Sequence, residues 1–197
     1  MVVEGPSAAG KTTWVRTHHP DVAVWEHPPA ADPVPLGVGP HWTEANVARW
    51  REAGRVEAEH GLAVCDTDPC KLHYVWCLWR IGEAAGDEWR SEARHARAAF
   101  AGGRLGLADL VLVDIPGAGE LRRRKTGDPA RRRGRFDLHA RLGEPLREWY
   151  QAMDRVEPGR VRWSLPDEGV RTGLVVPRRP RSGSELFDRL LDALPVR

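Results

Sequence analysis

Lysine is scarce in this chain: Lys11, Lys71 and Lys125 are the only three, although lysine and arginine together number 30. Arginine carries nearly all the positive charge, alongside abundant Ala, Gly and Pro. Arginine counts alone therefore say little about ligand sites, and the few lysines carry more weight. Cysteine is as sparse. Cys65, Cys70 and Cys77 are odd in number and nowhere spaced C-x-x-C, which argues against a disulfide framework or a zinc ribbon and predicts reduced, buried thiols. No apolar run approaches the roughly 20 residues of a membrane span, and the N-terminus does not resemble a signal peptide. A net charge of +2 supplies no broad basic field for nucleic acid. A cytoplasmic setting is expected, with no membrane and no nucleic-acid partner, and a homodimer is left open.

The 197 residues suit a single domain spanning 1–197 with a sizeable core. Five short apolar runs read as strands: Met1–Val3, Val22–Trp25, Leu62–Cys65, Leu110–Val113 and Val161–Trp163. Helical patterns alternate with them at Lys11–Thr17, Thr43–His60, Lys71–Gly82, Glu88–Ala101 and Phe136–Met153, and Ser184 is placed to N-cap a last amphipathic helix. Strands that are apolar throughout and alternate with helices predict an α/β fold: three layers, α/β/α, around a mainly parallel five-stranded sheet. Two stretches break the rhythm, the Pro- and Gly-rich His27–Pro40 and the Arg-rich Leu121–Arg135. Irregular segments of that length are commonly substrate loops or lids.

Between the first strand and the first helix, Gly5-Pro6-Ser7-Ala8-Ala9-Gly10-Lys11-Thr12 meets the pattern G-x-x-x-x-G-K-[ST] in full. Gly5 and Gly10 allow a tight turn in which the N–H groups of Ser7, Ala8, Ala9 and Thr13 can face phosphate oxygens, and the helix adds its N-terminal dipole. In such a cradle Lys11 reaches the β- and γ-phosphates and the Thr12 hydroxyl ligates Mg²⁺. ATP and Mg²⁺ are thus the expected cofactors.

A working carboxylate is also needed, and two strands end in Asp. Leu62–Cys65 runs into Asp66-Thr67-Asp68-Pro69, and Leu110–Val113 runs into Asp114-Ile115-Pro116. Asp66 ends its strand directly and is the first candidate, as a metal ligand and catalytic group. Asp68 is the second, although it also reads as the N-cap of a helix that Pro69 would begin. Asp114 reads equally as a turn residue.

These residues resemble the P-loop nucleoside and nucleotide kinases, including the ribosylnicotinamide-kinase-like and adenylate-kinase-like groups. The likeness rests on Gly5–Thr12, on Asp66-Thr67-Asp68, and on Val111–Pro116 followed by arginines. It implies that the strand ending in Asp66 lies beside the first strand and carries the metal or base carboxylate. It also implies that the Arg-rich segment, about 120–136, is a lid whose arginines, Arg124 and Arg131 among them, stabilise phosphate charge; the alternative is a solvated basic face. On the acceptor side, Glu26 ends the second strand where nucleoside kinases often place a Glu to bind or deprotonate a sugar hydroxyl, the alternative being a buried structural or exposed turn residue; Lys71, His73 and Tyr74 open the helix after Asp68. The expected activity is transfer of the ATP γ-phosphate to a hydroxyl or phosphate of a nucleoside-like, metabolite or antibiotic acceptor. The rival readings are an ATPase or nucleotide switch and, against the near-neutral charge, a polynucleotide-end kinase.

Overall fold

The computed structural model describes residues 1–26, 39–127, 135–170 and 177–196, with side chains from residue 42 onward in the second stretch. Its centre is a five-stranded, all-parallel sheet of β1 (Val2–Glu4), β2 (Ala23–Val24), β3 (Val64–Cys65), β4 (Val111–Val113) and β5 (Val161–Arg162), in the order β2-β3-β1-β4-β5. Parallel neighbours need crossovers, and among the described residues eight α-helices surround the strands: α1 (Lys11–His18), α2 (Gly39–His60), α3 (Leu72–Arg80), α4 (Gly86–Ala101), α5 (Ala118–Thr126), α6 (Phe136–Ala140), α7 (Gly143–Val156) and α8 (Ser184–Asp192).

Because side chains alternate along a strand, neighbouring apolar residues go to opposite faces. Val2, Cys65 and Val111 join the larger core with residues of α2, α3, α4, α7 and α8. Val3, Val64 and Leu112 join a smaller one with Trp14 and Val15 of α1 and with Val170. Apolar clusters on both faces make this arrangement compatible with three α/β/α layers, the second face more lightly covered. The three cysteines are free and buried, and burial raises each thiol above its ordinary range. Among the described residues no helix is long and apolar enough to cross a membrane.

Four local expectations are corrected. The pattern Phe136–Met153 is two helices, α6 and α7, because Pro145 offers no N–H and its ring would clash with the carbonyl four residues earlier in a continuous helix. The helix after Asp68 starts at Leu72 with Lys71 as its N-cap, so Pro69 is not its first residue. Gly183, at φ 113°, precedes α8 as its N-cap, and Ser184 is its first residue. The Arg-rich segment read as irregular is helical as far as Thr126; residues 128–134 lie outside the described part, as does most of His27–Pro40.

Candidate functional site

Strand order places the carboxyl ends of β1, β3 and β4 side by side, and the loop from β1 into α1 emerges between the other two. Glycine is required at both of its ends. A Cβ on Gly5 would lie 2.1 Å from the Asp114 carbonyl oxygen, and Gly10 holds φ at 96°, a left-handed conformation that costs other residues strain. Trp14 N closes the first bond of the turn on Gly10 O at 2.9 Å, so the amides of Lys11, Thr12 and Thr13 lie ahead of it at the helix N-terminus. Lys11 Nζ donates to Gly5 O at 2.5 Å and to Pro6 O at 3.3 Å. Residues 4–14 all line one cleft of about 1000 Å³.

Asp66 faces this loop from β3. Its Oδ2 accepts from the Thr12 hydroxyl at 3.3 Å, and its Oδ1 accepts from Glu26 N at 2.8 Å and Arg49 at 3.0 Å. Burial raises the Asp66 carboxyl, opposed first by Arg49 and then by Thr12 and Lys11. One carboxylate thus joins α1, α2, β2 and β3 at a single point beside the loop.

Beneath the loop lies a buried polar knot. Glu4 Oε1 accepts from Gly5 N at 2.8 Å, while Oε2 accepts from the Thr67 hydroxyl at 2.7 Å and Asp68 N at 2.9 Å. His73 Nε2 stands 3.3 Å from Oε2, and Lys11 Nζ 3.8 Å from Oε1. Burial would raise this carboxyl, but His73, Lys11 and the Asp68 and Gly5 amides outweigh it and hold Glu4 at about 2. Asp68, 1% exposed, does not line the cleft. Its carboxylate accepts from Cys70 N at 2.9 Å and from the Tyr150 hydroxyl at 3.3 Å, so it closes a turn and anchors α7.

Burial pushes the Asp68 carboxyl up to about 6, with His73 opposing and Glu4 adding to the rise. The folded chain therefore keeps a proton that the unfolded chain releases near its ordinary pKa. This contribution to stability is complete below about pH 4 and is lost as pH rises through about 6. Relative to Asp68→Asn, which cannot titrate, the wild type is expected to lose about 3 kcal/mol across that window, read from urea midpoints at each pH. Parallel profiles for the two proteins would remove the assignment.

Arg124, on α5, reaches the same loop. Its Nη1 donates to Ala9 O at 2.7 Å and lies 3.7 Å from Asp114 Oδ2, and Glu120 holds its Nε at 2.7 Å. Arg123 turns away onto Glu120, and Arg131 lies outside the described residues. Asp114 also lines the cleft; burial raises its carboxyl and Arg124 opposes.

In the same cleft Lys71 pairs with Glu26, and burial pushes the Lys71 ammonium down to about 8. Tyr74 OH lies 3.2 Å from His139 Nε2, and Trp42 lines the cleft with them. Most of the nine tryptophans are elsewhere: Trp76, Trp79, Trp89 and Trp149 form one aromatic cluster. Glu4, Arg49, Trp42 and His139 were not marked by the sequence as site residues. Glu4 had a signal, an acid ending an otherwise apolar strand immediately before Gly5; the other three arrive on helices distant in the chain, with no motif around them. No protein-family model matches the chain, and no curated protein matches it.

Proposed function

We propose that this chain is an ATP- and Mg²⁺-dependent phosphotransferase of the P-loop kinase type, acting on a small-molecule acceptor. The observation that carries the reading is the convergence of Lys11, Thr12, Asp66 and Arg124 on one glycine-bounded loop, in a cleft that also holds the Glu26–Lys71 pair. The residues fit the cofactors. The tight β1–α1 loop and the α1 N-terminus offer amides to phosphate oxygens. The Thr12 hydroxyl and the Asp66 carboxylate are oxygen ligands of the kind Mg²⁺ takes, with water and phosphate supplying the rest of its shell.

In this reading Lys11 and Arg124 neutralise charge on the transferring phosphoryl group, which is the main demand of such reactions. Thr12 and Asp66 would hold the metal, which would supply positive charge against the phosphate. Glu26, kept beside Lys71, takes the proton of the acceptor hydroxyl. The Arg-rich segment from Glu120 onward acts as a lid that excludes water, and Arg131 belongs to it.

An ADP-release screen across nucleosides, nucleotides, sugars and aminoglycosides tests the activity. Acceptor-dependent release is expected; release indifferent to every acceptor would make the protein an ATPase instead. Asp66→Asn is expected to lower turnover by at least about 100-fold, since even partners one step removed from a metal cost about 10- to 100-fold when changed, while ATP binding by calorimetry persists. Wild-type turnover in that variant would reassign the carboxylate.

A further inference from the structure

A second, smaller pocket adjoins the cleft beside the Glu26–Lys71 pair, between α2, α3 and α4. Trp42, Lys71 and Tyr74 line both spaces, while Thr43, Asn46 and Glu92 help to enclose the second. Its free volume is about 10 Å³, room for one water-sized group. Two of its walls carry buried polar atoms without a hydrogen-bond partner among the described residues. Glu92 is 4% exposed, and its Oε1 is unpartnered, as is Trp42 Nε1. Buried polar atoms are nearly always satisfied in folded proteins, by protein, water or ligand.

The two atoms ask for opposite things, since a carboxylate accepts and an indole only donates. A group that both donates and accepts answers both at once. A cation is a poor candidate, because the Lys71 ammonium borders the same pocket. At the junction the Trp42 and Tyr74 rings offer flat aromatic walls, so a ring can lie in the cleft while only its polar edge enters the pocket.

We propose that this pocket is a recognition subsite for the acceptor, taking an amino or amide group carried on a flat ring. The N–H of that group donates to Glu92, and a neighbouring ring nitrogen or oxygen accepts from Trp42. The proposal rests on the phosphotransferase reading for the identity of the cleft's occupant, and it narrows the acceptor class within that reading.

Calorimetry on the full chain with Mg²⁺ and a non-hydrolysable ATP analogue tests it. The probes are adenosine against purine riboside, and cytidine against its 4-deamino analogue, pairs that differ only in the exocyclic amino group. At least one amino-bearing probe is expected to bind about 10-fold tighter than its partner, the scale of one hydrogen bond to a charged group. Glu92→Met, close in size but apolar, is expected to erase that preference without lowering the thermal midpoint. Trp42→Phe, which keeps a ring and removes the N–H, should weaken the amino-bearing probe selectively. Equal affinities within both pairs, a preference that survives in Glu92→Met, or failure of all four probes to bind would overturn the subsite. Those failures would leave the phosphotransferase reading standing if another acceptor drives ADP release. Failure of the ATP analogue itself to bind would remove that reading and the subsite with it.

Discussion

Replacing Lys11 by alanine is expected to cut acceptor-dependent ADP release about 100- to 1000-fold, the usual effect of removing one preorganised donor to a developing charge. The residue is placed for a large effect. Its ammonium reaches back across the β1–α1 loop to the Gly5 and Pro6 carbonyls and stands 3.8 Å from Glu4. A positive charge is thereby held where the loop amides and the α1 N-terminus already favour anions. Arginine at this position would keep the charge but not the compact ammonium on its flexible stem, so Lys11→Arg should recover little. Arg55→Ala is the control: that guanidinium pairs with Glu52 and Glu59 on the exposed face of α2 and does not line the cleft, so its loss should leave turnover within about twofold, as surface changes away from a site generally do. Equal turnover in Lys11→Ala and the wild type would remove the loop from the chemistry.

Glu4→Gln is expected to destabilise the fold by about 3–5 kcal/mol, the range for breaking a buried charged pair by removing one partner. The carboxylate accepts from the Gly5 amide, the Thr67 hydroxyl and the Asp68 amide, with His73 beside it. A glutamine keeps one acceptor oxygen and turns an NH₂ group toward donors that need an acceptor. The pH signature follows from the lowered carboxyl. Stability from Glu4 is complete above its ordinary pKa of 4.5 and is lost as pH falls through about 2. Urea denaturation of both proteins across that acid range should show a steeper slope in the wild type, because Glu57 and Asp109, also held low, titrate in both. A loss under about 1 kcal/mol at neutral pH, no more than an ordinary hydrogen bond contributes, would show that Glu4 does not anchor the β1–α1 loop to the end of β3.

Much of the framework was legible because it depends on local order. The apolar runs around Val2, Val24, Val64, Val111 and Val161 could only be buried strands, and the helices between them left no option but parallel pairing. The motif Gly5–Thr12 was readable because a tight turn needs glycine at fixed positions. The break at Pro145 carried a legible signal too, but the apolar rhythm of 136–153 overrode it. Asp68 was ambiguous for a physical reason: sequence shows that an Asp follows a strand, not which way its side chain turns. The fold turned it inward to Cys70 N and Tyr150, while Asp66, two residues earlier, met Thr12.

By itself, then, the amino-acid order determined the α/β class, the five strands and the glycine-bounded loop, because period, turn chemistry and motif spacing act between near neighbours. Only the tertiary structure decided which groups share a site. Arg49, Glu92 and Trp42 lie on helices whose own patterns show only which face is apolar. Their meeting with Asp66, with the small pocket and with the cleft depends on how α2, α3 and α4 cross over the sheet. That packing is settled by the whole core at once, and no short stretch of sequence records it.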